Sequence, residues 1–229
     1  MKLGIMQPYF LPYIGYFQLI NAVDKYVIYD DVQFIKGGWI NRNYILLNGD
    51  KHLINLYLSG ASSNKTIKEI QVQLNQSKLI KTIESSYKKA PVFNQVFPLF
   101  VKIMEFENLK LGSFLGNSIA EICKYLAIQT ELIFSSEIQK ENTLKGQDKV
   151  LHICELLNAE VYINAIGGKT LYKKSEFEKN NIKLNFLESR IKPYSQFNNE
   201  FIPGLSIIDV MMFNSVEEIN LMLDNYSLI

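Results

Sequence analysis

The stretch MKLGIMQPYFLPYIGYFQLINAVDKYVIYDDVQF, residues 1–34, decides the fold class. Residues 2–6 have the pattern of a short buried strand, and residues 15–24 carry apolar side chains at helical spacing. Residues 25–34 contain a continuous apolar run, which is typical of a strand buried on both faces of a sheet. Strand, helix and strand in this order predict a right-handed βαβ unit and hence a parallel sheet.

Two further regions interrupt that alternation. The turn sequence NGD lies between apolar runs and predicts an antiparallel hairpin, with strands at about 43–48 and 51–58. Residues 75–128 follow a mainly helical pattern, which we expect to break near Pro91 and Pro98 because proline removes a backbone donor. The chain is therefore predicted to carry a hairpin insertion and a helical middle region.

The second half of the chain returns to alternating strands and helices. Predicted strands cover 130–136, 160–165 and 183–189, and predicted helices cover 147–159, 175–182 with Ser175 as N-cap, and part of 203–226, where Ser215 begins a capping box. Residues 1–229 are thus predicted to form one α/β domain, a Rossmann-like doubly wound and mainly parallel sheet.

Composition excludes several function classes. The formal net charge is +1, from 24 basic and 23 acidic residues, so no general basic field favours nucleic-acid binding. The two cysteines, Cys123 and Cys154, are expected to be reduced core thiols, and with His52 and His152 they lack metal-ligand spacing. We find no signal peptide and no membrane-spanning run, so we expect a cytoplasmic protein without a resident metal site.

The loop after the first strand is the first candidate site. In open α/β sheets, ligands bind at the carboxyl ends of the strands, where Pro8 and Pro12 mark a loop. Gly15 follows at the start of a helix, whose free amides favour an anion. We predict that a nucleotide contacts this segment through Gln7, Pro8, Tyr9, Tyr13, Gly15 and Tyr16.

Acidic and basic candidates follow the second strand. Asp30 and Asp31 should point to opposite faces, and one of them could act as a base or hold Mg²⁺; alternatively both cap a helix or pair with Lys36. Gln33 could orient a carboxylate or sugar hydroxyl, or simply support a turn. Next come four further candidates. Trp39 could stack on a sugar or a base, or could pack in the core, and Arg42 could bind a phosphate or carboxylate, or form a surface ion pair. Asn41 and Asn43 could bind hydroxyl groups.

The last candidates lie after later strands. Gly167, Gly168 and Lys169 could form an anion nest, although a plain turn explains them equally well. Arg190 and Tyr194 follow the next strand and are further candidates for substrate binding.

Three of these stretches resemble the HIGH-type nucleotidyltransferases, especially pantothenate synthetase. They are MQPYFLPYIGYFQLI, VDKYVIYDDVQF and NAEVYINAIGGK, in matching order. In this chain Tyr13 and Tyr16 occupy the positions of that family's two histidines, and Thr170 that of an aspartate. The resemblance implies a nucleotide-binding fold of this type and activation of a carboxylic acid by ATP and Mg²⁺.

Five spaced motifs also resemble the WbqC-like protein family along the whole chain. They are QPYFLPYIGY, DDVQF, GGWINRN, GGK and PGLS. That family is associated with bacterial surface-polysaccharide gene clusters, and some members are labelled glycine transferases. The resemblance implies a cytoplasmic enzyme of O-antigen or capsule biosynthesis that modifies an amino sugar.

Together the two resemblances imply an amide-forming transferase or ligase. It would join a small carboxylic or amino acid, such as glycine, to a nucleotide-linked amino sugar, with Asp31, Gln33, Arg42 and Lys169 at the reacting groups. A nucleotidyl or other group transferase and a non-catalytic nucleotide- or sugar-binding module are the alternatives. The sequence leaves open the sugar, the oligomeric state, and whether the acyl donor is an adenylate, a thioester or a charged tRNA.

Overall fold

The computed structural model describes residues 1–229 and is built around a six-stranded sheet. Its strands are β1 (Lys2–Met6), β2 (Lys25–Ile28), β7 (Glu131–Phe134), β8 (Val161–Ala165), β9 (Lys183–Ser189) and β10 (Tyr226–Leu228). Their spatial order is β7-β2-β1-β8-β9-β10, and every pairing is parallel except that of β9 with β10. This order confirms the predicted Rossmann-like, doubly wound sheet.

Helices cover both faces of the sheet. One face packs on α5 (Gly146–Leu156) and α6 (Lys174–Lys179). The other face is covered by α1 (Ile14–Asn21), α4 (Leu111–Tyr125), α7 (Ile207–Phe213) and α8 (Val216–Leu223). The chain adds β2 and β7 on one side of β1 and then β8, β9 and β10 on the other, so the strand order reverses between β1 and β8. Ligands of such sheets bind at this switch point, outside the carboxyl ends of the strands.

The hairpin insertion is confirmed as β3 (Arg42–Leu47) and β4 (Asp50–Asn55), which pair antiparallel outside the main sheet. Asn48 and Gly49 form its turn with φ of 53° and 87°, the conformation that two-residue hairpin turns require. A second small ladder pairs β5 (Leu58–Ser59) with β6 (Gln71–Val72), which the sequence analysis did not predict.

The helical middle region consists of α2 (Ser77–Tyr87), α3 (Phe93–Met104) and α4. The break at Pro91 is confirmed, but the break predicted at Pro98 is wrong, because α3 continues through that residue. The second break falls between α3 and α4, where the backbone N–H of Leu111 donates to Ile70 O and that of Val72 to Leu109 O. Pairing with the β6 region thus ends the helical path there.

Other element boundaries also differ from the predictions. The strand predicted over 25–34 ends at Ile28, because residues 30–31 form a turn and the N–H of Asp30 donates to Ile28 O at 3.0 Å. Helix α6 begins at Lys174 with Lys173 at its N-cap, so the predicted cap at Ser175 is wrong. The capping box at Ser215 is confirmed.

Core composition matches the sequence analysis at the cysteines. Cys123 and Cys154 are both buried and unpaired, and burial raises the pKa of each thiol to about 12. Such thiols remain protonated at neutral pH and pack as small apolar groups. None of the helices combines the length and the apolar character needed to cross a bilayer.

Candidate functional site: an aromatic pocket at the carboxyl edge of the sheet

The loop of residues 7–13 leaves β1 at the switch point and is held by its own carbonyl groups. Asn43 Nδ2 donates a hydrogen bond to Leu11 O at 2.7 Å and a longer one to Phe10 O at 3.3 Å. Ser206 Oγ donates to the same Leu11 carbonyl at 2.8 Å. Leu11 has a φ of 44°, a costly conformation that persists only where surrounding bonds enforce it.

Backbone hydrogen bonds also hold the loop of residues 7–13; we call these bonds and the side-chain bonds above the clamp. The N–H of Ile207 donates to Pro12 O at 2.9 Å, and the N–H of Phe10 donates to Ile40 O at 2.9 Å. The N–H of Ser206 donates to Tyr44 O at 2.8 Å. The QPYFLPYIGY, GGWINRN and PGLS motifs are therefore neighbours in space, although the first and last lie nearly 200 residues apart, as the 195-residue separation of Ser206 and Leu11 shows.

These three motifs enclose a pocket of about 250 Å³. We call it the aromatic pocket; it is lined by Tyr9, Pro12, Tyr13, Trp39, Asn43 and Gly204. None of the lining side chains is charged. Burial raises the pKa of Tyr9 and of Tyr13, so both phenols stay protonated at neutral pH and can donate hydrogen bonds. Such a surface suits an uncharged ring that carries hydroxyl or amino groups.

Trp39 forms one wall and is 46% exposed. The guanidinium carbon of Arg42 lies 5.6 Å from its ring centroid, and the Tyr44 ring centroid lies 5.8 Å away. Arg42 Nη2 also donates to the carbonyl of Gly37, so this side chain braces the loop that carries the tryptophan. Asn41 supports the same region by donating from Nδ2 to Leu56 O at 3.1 Å.

Gly15 has a different neighbour from the one expected. A Cβ atom at this position would lie 2.3 Å from the Tyr13 ring, so the absence of a side chain allows that ring to cover the start of α1. Tyr16 is enclosed in the core, where its ring packs on those of Tyr9 and Tyr26. Its hydroxyl donates to Gln7 O at 3.0 Å. Gly15 and Tyr16 thus shape the pocket wall from behind.

Asp30 and Asp31 point to opposite sides, as predicted for adjacent residues at a strand end. Asp30 is buried and accepts hydrogen bonds from Ser136, at 3.0 Å from the backbone N–H and at 2.7 Å from the hydroxyl. Its Cβ lies beside Gly112 of α4. Asp30 therefore ties the end of β2 to the turn after β7.

Asp31 forms a buried ion cluster with Lys140 and Lys149. Its Oδ2 lies 2.9 Å from Lys140 Nζ and 3.2 Å from Lys149 Nζ, and the three side chains are 7%, 2% and 10% exposed. Burial alone would raise the pKa of the Asp31 carboxyl, but the two ammonium groups outweigh it and hold the pKa below its usual value. Lys149 also lies over the Tyr29 ring, at 5.3 Å from its centroid.

The residues present do not fit a protein-held Mg²⁺ ion. Both oxygens of Asp30 are engaged by Ser136, and Asp31 is neutralised by two ammonium groups. No group of three or more His, Cys, Asp or Glu side chains is arranged to hold a metal ion. A divalent cation at this edge would have to arrive with the phosphates of a nucleotide.

The Gly167–Lys169 turn closes the other side of the switch point. Residues Ile166–Gly168 form a single 3₁₀ turn directly after β8. Gly168 is buried, and a Cβ there would lie 2.5 Å from Asn164 Oδ1, whereas Gly167 faces open space. Lys169 is exposed and forms no ion pair. None of these residues lines the aromatic pocket.

The remaining predicted residues lie apart from the pocket. Gln33 is exposed and bridges to Thr66, while Pro8 is buried at the base of the loop. Arg190 is exposed at the end of β9. The Tyr194 hydroxyl donates to Asp209 Oδ1 at 2.6 Å, so its side chain belongs to a buried network under α7.

Sequence reasoning missed four contributors: Lys140, Lys149, Gly204 and Ser206. Lys140 and Lys149 each have polar neighbours in the sequence, and nothing in the residue pattern separates a buried ammonium group from a surface one. Ser206, in contrast, belongs to the PGLS motif quoted in the sequence analysis, and that motif was a usable signal. Its hydroxyl locks Leu11 and also caps α7 by accepting from the Ile208 N–H at 3.3 Å.

The chain is similar to known proteins along most of its length. The uncharacterised protein Rv1507c of Mycobacterium tuberculosis is 25% identical over 218 residues, which cover 93% of each chain. No solved structure is a significant match. The family described as the WbqC-like protein family matches residues 7–221, a range that contains the clamped loop, the aromatic pocket and the ion cluster. The chain belongs to the WbqC-like protein family.

Proposed function

We propose that this protein is an enzyme that forms an amide between a small carboxylic or amino acid, such as glycine, and the amino group of a nucleotide-linked amino sugar. Membership of the WbqC-like family suggests a role in polysaccharide-related biosynthesis. The observation that carries the proposal is the uncharged aromatic pocket, assembled at the switch point of a Rossmann-like sheet from three separate motifs.

The pocket supplies the sugar subsite in this proposal. Aromatic faces of Tyr9, Tyr13 and Trp39 pack against the apolar face of a pyranose ring, and the phenols donate to its hydroxyl groups. No lining residue is charged, so a protonated or anionic sugar gains nothing there, whereas a neutral amine is accepted. A neutral amine is also the nucleophilic form.

Phosphate groups would lie across the switch point, at the Gly167–Lys169 turn. Lys169 is exposed and free of other partners, and Gly168 brings the backbone close to the end of β8. The Rossmann-like strand order supports this placement, because nucleotides of such folds bind across the crevice between the two central strands. Arg42 already contacts Trp39 and Gly37, so its role here is to hold the tryptophan wall.

In this proposal the reaction takes place in two steps. The carboxylate of the acid attacks the α-phosphorus of ATP, which forms an acyl-adenylate and releases pyrophosphate. The sugar amine then attacks the acyl carbon, AMP leaves with the bonding electron pair, and the nitrogen loses one proton. Catalysis of this kind depends mainly on positioning the amine and stabilising charge on the leaving groups.

A pyrophosphate-release assay with glycine, ATP and UDP-glucosamine tests the proposal. UDP-N-acetylglucosamine is the matched control, because its nitrogen is blocked. Amide product found by mass spectrometry only with the free amine supports the proposal. Pyrophosphate release without any carboxylic acid indicates a nucleotidyl transferase instead. If the protein binds UDP-glucosamine but turns over neither ATP nor an acyl thioester nor glycyl-tRNA, it is a non-catalytic binding module.

Variants then connect the activity to the pocket. Trp39→Leu removes the exposed aromatic wall and should raise the KM for the sugar nucleotide about tenfold or more. Leu221→Ala, on the exposed face of α8, is the control and should leave the KM unchanged. Equal KM values in the two variants would place the sugar elsewhere.

A further inference from the structure

A basic groove runs along the exposed face of α2 and shares no lining residue with the aromatic pocket. One shallow region of about 520 Å³, largely open to solvent, is lined by Ser77, Lys78, Lys81, Thr82 and Ser85. A second region of about 350 Å³ adjoins it through the shared Ser85 and is lined further by Leu46, Asn48, Gly49, Ser86, Lys88, Lys89, Phe197 and Asn199. We call the two together the α2 groove.

Charge is segregated in this groove. The chain as a whole has a net charge of only +1, yet residues 77–89 hold four lysines and a single acid, Glu84. No carboxylate lines either region. None of the four lysines forms an ion pair, although five other lysines of the chain do. Their ammonium groups are therefore free to meet an external anion.

The groove is also rich in neutral hydrogen-bonding groups. The Ser85 and Ser86 hydroxyls donate to Thr82 O at 3.0 and 2.8 Å, which leaves their oxygen lone pairs free as acceptors. Asn48 at the hairpin turn and Asn199 opposite it add amide groups at the far end. Lysines interspersed with hydroxyl and amide groups match a ligand that carries both carboxylates and hydroxyl groups.

We propose that the α2 groove binds an acidic glycan, a chain of sugar units that bear carboxylate groups. Helix α2 has 11 residues and so spans about 16 Å, long enough for an extended oligosaccharide. Single-stranded nucleic acid is the less suitable polyanion, because its binding surfaces stack bases on aromatic side chains and the groove contains only Phe197. This proposal does not depend on the amide-forming reaction.

Binding of the full chain to polygalacturonate at about 0.15 M salt tests the proposal. Dextran serves as the neutral glycan and tRNA as the competing polyanion. We expect binding to polygalacturonate that weakens as salt is added, with no binding to dextran. Tighter binding to tRNA than to polygalacturonate, or no binding to either polyanion, would overturn the proposal.

Matched variants locate the bound glycan. The double variant Lys81→Gln/Lys88→Gln keeps good helix formers on α2 and should weaken polygalacturonate binding about fivefold. The control Lys124→Gln/Lys183→Gln removes the same charge from exposed positions on α4 and β9 and should change the affinity less than twofold. Equal losses in both variants would show general charge attraction and contradict the assigned groove.

Discussion

At the carboxyl edge of the sheet, the two faces carry opposite chemistry. On the α1 side, the aromatic pocket has no charged lining residue, and its loop is held through backbone carbonyls. On the α5 side, Asp31, Lys140 and Lys149 form a buried ion cluster, and exposed Lys169 follows β8. Under the proposed function, the sugar ring of a nucleotide-linked sugar would lie at the uncharged pocket and its phosphate groups near Lys169.

The ion cluster offers the largest effect with which to break this comparison. Asp31→Ala leaves two buried ammonium groups without their carboxylate, and we expect it to lower the free energy of unfolding by about 3 kcal/mol or more. Urea denaturation measures the change. Glu176→Ala, which removes an exposed ion pair with Lys179, is the control and should cost less than about 1 kcal/mol. A similar small loss in both variants would mean that the cluster is not structural.

The clamp on the aromatic side provides the second test. Ser206→Ala removes the hydrogen bond to Leu11 O and the cap of α7, and should cost about 2 kcal/mol of unfolding free energy. Ser215→Ala removes the cap of α8 alone and should cost about 1 kcal/mol. Only the first variant should change Trp39 fluorescence in the folded state. Identical spectra would separate the clamp from the pocket.

Substitutions at Gly15, behind the aromatic pocket, and at Gly167, after β8, provide a third test with a smaller expected effect. Gly15→Ala forces the Tyr13 ring to move, because the new Cβ would lie 2.3 Å from it, and we expect weaker sugar-nucleotide binding with a stability change of about 1 kcal/mol. Gly167→Ala meets open space and has no positive φ, so it should leave fold and pocket unchanged. Calorimetric titration with UDP-glucosamine compares them, and unaltered binding in Gly15→Ala would contradict the assigned wall.

Acid sensitivity is the smallest expected effect and separates two buried carboxyl groups. The folded-state pKa of Asp31 is lowered, so its contribution to stability is present above its unfolded pKa and is lost as pH falls through the folded value. Asp209, which accepts hydrogen bonds from Tyr87, Tyr194 and Gln196, has a pKa raised by burial despite these bonds, so its ionisation costs stability as pH rises.

The comparison of variants follows from those signs. Between pH 5 and pH 3, Asp31→Asn should lose about 1 kcal/mol less stability than the unsubstituted protein, and Asp209→Asn should lose more than it. Urea midpoints at several pH values give the slopes. The same slope in both variants would contradict the opposite pKa directions.

Much of the fold was predictable because its signals are local. Apolar runs bounded by turns located β1, β2, β8 and β9, and the NGD turn located the β3–β4 hairpin. Strand β10 was missed, because three residues after a helix carry no periodic signal and its position depends on pairing with β9. Pro98 was misjudged, because packing of α3 in the core outweighs one missing hydrogen bond.

The candidate site was predictable only in part, because some of its contacts depend on residues that lie far apart in the sequence. Motif spacing brought Tyr9, Tyr13, Trp39 and Asn43 into consideration, and all four line the pocket. Lys140 and Lys149 gave no signal, since burial of a lysine depends on the tertiary position of a distant carboxylate. Tyr16 and Tyr194 carried the right chemistry for binding, but core packing uses their hydroxyls inside the protein.

The bond between Ser206 and Leu11 also has a consequence for synthesis on the ribosome. Leu11 emerges early, whereas its partner is made 195 residues later. Until then the strained backbone at Leu11 lacks one of its two side-chain donors, and the pocket lacks the wall that Gly204 provides. The pocket is therefore complete only after residues 204–206 have been synthesised, so under the proposed function sugar binding would begin late in translation.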